Sequence, residues 1–311
     1  MHKMQEKQRY LMKERHLMKK RHFKDKYQGY LYISPWLIGF LILTLYPFVV
    51  SFMYSFTDYD MFRMDFVGLK NYIDIFTTDN LFLLSLSKTI LYTVVSVPLK
   101  ISMALLVAVL LNKLARGRAI YYIIFYLPSV LGSSVALAIL WKYIFKKDGL
   151  LNLLLEAVGI TGSNWLGDPK LVLYVMMLLP LWQMGAPMVI FLAALKNVPA
   201  DLVEAARIDG AGKIKIFFRI TFPIISPIVF FNMLMQTIEI IQIFTPAYLI
   251  TKGGPMKETY LYSLYLYDTA FRDSKIGYAS ALSWILFTII IGFTLVFFKL
   301  SNKWVFYGDE Q

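Results

Sequence analysis

The chain has 311 residues, 58% of them hydrophobic, a mean hydropathy of +0.57 and a formal net charge of +12. Charged residues make up only 17%, against about 25% in a typical soluble domain. They gather between long apolar runs, which argues against an ordinary soluble fold and for a multi-pass membrane protein. Cysteine is absent, and His2, His16 and His22 all lie in the first 22 residues. Disulfides, cysteine nucleophiles, histidine or thiolate metal sites and a Ser-His-Asp arrangement in the membrane body are therefore excluded.

Residues 1–29 carry ten Lys/Arg against Glu6, Glu14 and Asp25. Such a tail is expected to lie in the cytoplasm, set topology and touch anionic lipid headgroups, with no nucleic-acid role. It is too long for the charged region of a signal peptide, and no small-residue cleavage site follows, so the next apolar run is expected to stay as a helix. Six apolar runs follow, over 30–56, 83–111, 120–145, 171–195, 222–250 and 278–300. Each can cross a hydrocarbon core about 30 Å thick as a helix, and only helices satisfy their own backbone at that depth over one segment. Pro47, Pro98, Pro128, Pro180, Pro187 and Pro227 mark expected kinks. These runs predict an all-α membrane protein, a bundle of six transmembrane helices. The parts are a basic tail at 1–29, a membrane domain at 30–305 and a short tail at 306–311. No internal repeat is visible.

Orientation follows from Lys and Arg in the loops. The 57–82 linker has Arg63 and Lys70 but five aspartates, whereas 112–119 has Lys113, Arg116 and Arg118 and no acid. The 196–221 linker has Lys196, Arg207, Lys213, Lys215 and Arg219. This places both termini and the 112–119 and 196–221 loops in the cytoplasm. The 251–277 linker, with four Lys/Arg, fits less cleanly.

The 196–223 segment predicts a helix, a break and a second helix. Pro199 suits a first helical turn and Asp201 its positive end. Ala205 and Ala206 make a smooth face, and Gly210 supplies a turn where a side chain would cost conformational freedom or clash. A basic amphipathic stretch from Lys213 to Arg219 then leads to Pro223. This shape suits a soluble partner or, alternatively, a helix lying on the bilayer.

The run Glu204, Ala205, Ala206, with Gly210, Ile220 and Pro223 at fixed spacing, resembles the EAA loop of binding-protein-dependent ABC importer permeases. Phe222 stands where the family usually has Leu. FVGLKNY at 66–72, LPS at 127–129, Trp141, FKKDGLLN at 145–152, FLAAL at 191–195, Pro199, IDGA at 208–211 and LITKGGP at 249–255 resemble its carbohydrate branch, of the maltose or glycerol-phosphate first-subunit type. The resemblance covers roughly 30–305. It implies the type I ABC importer permease fold, with a cytoplasmic coupling helix. Glu204, Ala205, Ala206, Asp209, Gly210 and Pro223 are then the residues that couple it to an ATPase.

The implied partners are a second homologous permease, a cytoplasmic ABC ATPase dimer, an extracellular or periplasmic solute-binding protein and a carbohydrate, in the bacterial cell membrane. ATP and Mg belong to the ATPase, since this chain has no GxxxxGK[ST] loop; no cofactor, metal or catalytic residue is expected here. The resemblance also implies that the binding protein delivers the solute, ATP drives an inward-to-outward switch and hydrolysis resets it.

Polar groups inside a bilayer are expensive and point to a path or to interhelical bonds. Asn232, Gln236, Glu239 and Gln242 lie in the fifth run, the last three at spacings of three that place them near one helical face. Trp182, Gln183, Tyr248 and Trp284 are further candidates for contact with sugar. Lys88 is expected to snorkel outward, and Lys100 lies deeper with no partner assigned. A glycerophosphodiester or polyamine is the alternative solute. An ion-driven secondary transporter would show inverted repeats and more embedded ionisable groups.

Overall fold

The computed structural model describes residues 29–114, 117–132 and 134–306. The expected basic tail before Gly29 and the end of the chain after Phe306 lie outside the described residues. Helix α1 (Gly29–Tyr54) leads into a hairpin of β1 (Thr57–Tyr59) and β2 (Met64–Phe66), antiparallel with Thr57 opposite Phe66. Then follow α2 (Lys70–Thr77), α3 (Asn80–Lys113), α4 (Arg118–Val130), α5 (Val135–Phe145) and α6 (Leu150–Ala157). After a loop come α7 (Val172–Trp182), α8 (Gly185–Lys196), α9 (Ala200–Ile208), α10 (Lys213–Ile241), α11 (Tyr262–Tyr267) and α12 (Ile276–Ser301).

Helices α1, α3, α10 and α12 are each long and apolar enough to cross a membrane. The helices at 119–130 and 135–157 form one bent pair, and α7 with α8 a second, bent by 43°, so up to six spans are present. The interruptions expected at prolines thus include full breaks between helices. Proline chemistry explains two of the breaks. Pro187 has no N–H to offer the Gln183 carbonyl, and α7 stops at Trp182. Pro246 likewise leaves the Gln242 carbonyl without its helical donor, and α10 ends at Ile241 instead of running to 250. At the third break Gly132 takes a φ of +56° and Ser134 caps α5, its Oγ accepting from the Leu137 amide at 3.2 Å.

Pro180 and Pro227 stay inside helices, where side chains satisfy the carbonyls they free. Pro180 cannot donate to the Met176 carbonyl, and the Tyr92 hydroxyl of α3 does so instead at 3.0 Å. Pro227 cannot donate to the Pro223 carbonyl, which accepts from Ser226 Oγ at 2.7 Å. Ser226 Oγ in turn accepts from the Phe306 amide at 2.9 Å, tying the end of the described chain to α10. Around Pro223 the helix widens into a π-turn over Phe217–Thr221, so the predicted amphipathic stretch and the next span are one continuous helix.

The core is centred on α3, which packs on α7, α8 and α10. Ala104 and Ala108 are fully buried on α3, letting backbones approach. At Gly185 a Cβ would lie 2.6 Å from the Phe125 carbonyl, so only glycine admits this crossing of α4 over α8. Helix α1 contributes no buried residue to the core; Phe48 and Phe52 pack against Trp284 of α12, whose Nε1 donates to Ser51 Oγ at 3.2 Å. Trp284, a sequence candidate for sugar contact, thus packs between α1 and α12, away from the other candidates that line a cavity.

The two ends of the bundle differ. At one, Asp79 Oδ1 accepts from the Leu81 and Phe82 amides at the start of α3. Its Oδ2 accepts from the hydroxyls of Tyr265 and Tyr278, joining α11 and α12. Near this end Lys88, expected to reach for the surface, forms a partly exposed ion pair with Glu258. At the other end the foot of α3 at Lys113 meets the 198–221 segment.

Candidate functional site

The 196–223 segment folds as its spacing predicts. Helix α9 ends in a left-handed turn at Gly210, whose φ is +76°. The Gly210 amide donates to the Arg207 carbonyl at 3.0 Å and the Ala211 amide to the Ala206 carbonyl at 2.9 Å. This pair of bonds is the Schellman closure, and it satisfies carbonyls that a helix end otherwise leaves bare. A Cβ at Gly210 would meet nothing within 4 Å. The glycine is needed for its backbone angle, and the clash considered from sequence is absent.

Glu204, Ala205, Asp209 and Gly210 are exposed, Ala206 and Pro223 half-buried. The segment also shows large apolar side chains that the sequence reading did not single out. Ile208 is 87% and Ile214 76% exposed. Large aliphatic residues on either side of the Gly210 turn were the available signal. Between this segment and the foot of α3 lies an open cleft of about 780 Å³, lined by Glu204, Arg207, Lys213, Ile214 and Phe218 among others.

A second, smaller cavity of about 180 Å³ lies within the spans. Lys100, Gln183, Glu239, Gln242, Phe244 and Thr245 line it together with Pro180, Ile240 and Ile243. It thus joins α3, the α7–α8 break and the end of α10, and the two proline-driven interruptions give it its polar edge. Gln183 sits in the break, its Nε2 donating to the Gly132 carbonyl at 2.7 Å. Gln242 ends α10, its Nε2 donating to the Ile238 carbonyl at 3.1 Å. Of the sequence candidates, Gln183, Glu239 and Gln242 share this cavity.

The others lie elsewhere. Asn232 is buried and donates to the Ile228 carbonyl of its own helix at 3.0 Å. Gln236 is also buried and is not among the residues lining the cavity that Glu239 and Gln242 share. Trp182 packs on Trp141 with ring centroids 5.7 Å apart. Tyr248 stacks on the cavity residue Phe244 at 5.2 Å and meets Tyr267 at 5.3 Å, beginning an aromatic wall beside the cavity. Among the cavity residues, Lys100 was noted from the sequence but not as part of a path, and Phe244 was not singled out. A lysine within a long apolar run was the visible signal for the first.

The family described as "Binding-protein-dependent transport system inner membrane component" matches residues 85–305. The chain is 47% identical over 292 residues to the probable ABC transporter permease protein YesP of Bacillus subtilis (strain 168), covering 93% of this chain and 94% of that one. It is 32% identical to the lactose transport system permease protein LacF of Rhizobium radiobacter, covering 88% and 94%. A subunit in the crystal structure of a bacterial alginate ABC transporter, in complex with an alginate pentasaccharide-bound periplasmic protein, superposes with a TM-score of 0.80. The identity there is 21%, covering 91% of this chain and 96% of that one, a likeness of fold.

Proposed function

We propose that this chain, which belongs to the family of binding-protein-dependent transport system inner membrane components and is a permease subunit of an ABC importer, forms half of the membrane path for a carbohydrate. A second, related permease forms the other half, and a solute-binding protein delivers the sugar from outside. The exposed segment 196–223 docks on a cytoplasmic ATPase dimer, which holds the ATP and Mg that this chain does not need. Glu204, Ala205, Ala206, Asp209 and Gly210 carry that contact, and Pro223 begins the span that transmits it.

The observation that carries the docking role is the exposure of Ile208 and Ile214 on a turn locked by Gly210. Exposed large apolar groups on a rigid polar element mark a protein contact. The bundle geometry supports the topology read from the loop charges. The 112–113 foot of α3, the 198–221 segment and the 301–306 end gather on the side expected to be cytoplasmic, and Asp79, Lys88 and Glu258 lie toward the opposite side. The sugar assignment draws on the lactose permease among the relatives and on the amide, carboxylate and aromatic groups in and beside the 180 Å³ cavity.

The test is to purify the tagged chain from native membranes in mild detergent and identify what accompanies it. A second permease and an ATPase should co-purify, and the ATPase should be lost from a Glu204→Ala/Gly210→Asp double variant. Recovery of the chain alone, still moving solute under an ion gradient, would overturn the reading.

A further inference from the structure

Lys100 is 4% exposed, yet it lines the 180 Å³ cavity. Burying an ammonium in a span is costly unless something compensates its charge. Glu239, exposed to the same cavity, is the charge that acts on it. These two are the ionisable residues among those lining the cavity. The ion pairs among the described residues are Lys88–Glu258 and Arg272–Asp268, so Lys100 and Glu239 attract each other without direct contact. Nor does the Lys100 ammonium, Nζ, donate a hydrogen bond to any described residue. An ammonium with three donors and a carboxylate with open acceptor positions thus face one small space.

We propose that Lys100 and Glu239 form a two-charge subsite for adjacent hydroxyl groups of a carbohydrate. A hydroxyl is both donor and acceptor. One hydroxyl accepts from Lys100 Nζ, its neighbour donates to a Glu239 carboxylate oxygen, and the sugar bridges the gap that the two side chains leave. Gln183 and Gln242 line the same space with amide groups, and Phe244 offers a ring at its edge. Charge-assisted hydrogen bonds of this kind are about twice as strong as neutral ones. The opposite charges cancel, so the subsite holds polar groups without selecting strongly for a charged solute. This inference rests on the carbohydrate reading above and adds Lys100 to it as a direct contact.

The experiment uses the complete complex of this chain with its partner permease, ATPase and binding protein in proteoliposomes. Wild type is first assayed with lactose, maltose, trehalose, arabino-oligosaccharides and alginate pentasaccharide. Import of none of these overturns the carbohydrate reading itself. With the best neutral substrate, Lys100→Met and Glu239→Gln should each raise KM by about tenfold, the loss expected for one hydrogen bond to a charged group. The double variant should be no worse than about the same factor, because both residues act on one bridged sugar. The two single variants should also shift charge preference in opposite directions. Glu239→Gln leaves the ammonium uncompensated and raises uptake of alginate pentasaccharide relative to the neutral sugar, and Lys100→Met lowers it. Should Lys100→Met fail to assemble, the preference shift in Glu239→Gln still decides. Wild-type import with unchanged KM and unchanged charge preference in Glu239→Gln overturns the subsite, as do losses that simply multiply in the double variant.

Discussion

The 196–223 segment and the Lys100–Glu239 cavity differ in how far apart along the chain their residues lie. In the first, every contact that shapes the turn spans five residues or fewer, from Ala206 to Ala211. In the second, Lys100, Gln183 and Glu239 come from three separate regions and meet only because α3, α7, α8 and α10 pack together. Local hydrogen-bonding rules build the first. Helix breaks and tertiary packing build the second. A substitution in the segment should therefore affect what docks there and little else, whereas one in the cavity should alter substrate handling and fold stability together.

The sharpest division is expected at Gly210. Gly210→Asp should leave the complex membrane-inserted and reduce uptake to background, because a charge enters the exposed docking turn. Gly210→Asn separates the two possible causes. Asparagine adopts the left-handed conformation more readily than most residues, and the space around Gly210 is open. It should retain most of the uptake, measured against ATPase recovered on the same tagged chain. Equal loss in both variants would mean that the backbone turn, costing about 1–2 kcal/mol for most L-residues, matters more than the docking surface.

The same division governs what could be read before any coordinates. The Gly210 turn was legible because helix capping is a local code. The apolar runs were legible as spans because a bilayer enforces helices of known length. The breaks at 183 and 242 were less so: Pro187 was marked but Pro246 was not, and Pro180 and Pro227 look no different from them yet remain within helices. The distinction lies in Tyr92 and Ser226, which supply donors to freed carbonyls, and for Tyr92 the donor lies 84 residues away in sequence. The cavity suffered for that reason. Spacing suggested that Gln236, Glu239 and Gln242 share a face, yet Gln242 ends α10 and Gln236 turns into the core. Lys100 stood out as a charge in an apolar run, but its counterpart Glu239 lies 139 positions away and only packing reveals it.

Gln183 probes the coupling of stability to substrate handling within the cavity. Gln183→Leu removes the donor to the Gly132 carbonyl and one polar group from the cavity wall. It should lower thermal stability by about 1–3 kcal/mol through the unmet carbonyl and raise the KM for sugar. A rise in KM with an unchanged melting transition would show that the breaks at 132 and 183 are not held together by this bond. Tyr92→Phe is the milder counterpart, since it takes a donor from behind the cavity wall without changing its lining. It should lower stability by about 1 kcal/mol, with the sugar KM unchanged.

The smallest effect is expected where the chain is clamped at the end of the bundle that carries Asp79. Lys88 lies on α3 twelve residues before Lys100, and its pairing with Glu258 fastens the 252–260 segment to the helix that carries the buried lysine. The pair is partly solvated, with side-chain exposures of 24% and 29%, so Lys88→Met should lower the melting transition of the detergent-extracted complex by no more than about 1 kcal/mol. Raising the salt concentration should shrink the gap between wild type and variant, because screening weakens the wild-type pair and leaves the variant untouched. Uptake kinetics separate a clamp from a conduit. If the Lys88–Glu258 clamp and the cavity act independently, the sugar KM in Lys88→Met equals that of wild type even as stability falls. A tenfold rise in KM would instead mean that tension along α3 sets the position of Lys100, and the cavity would then extend, mechanically, to the clamp.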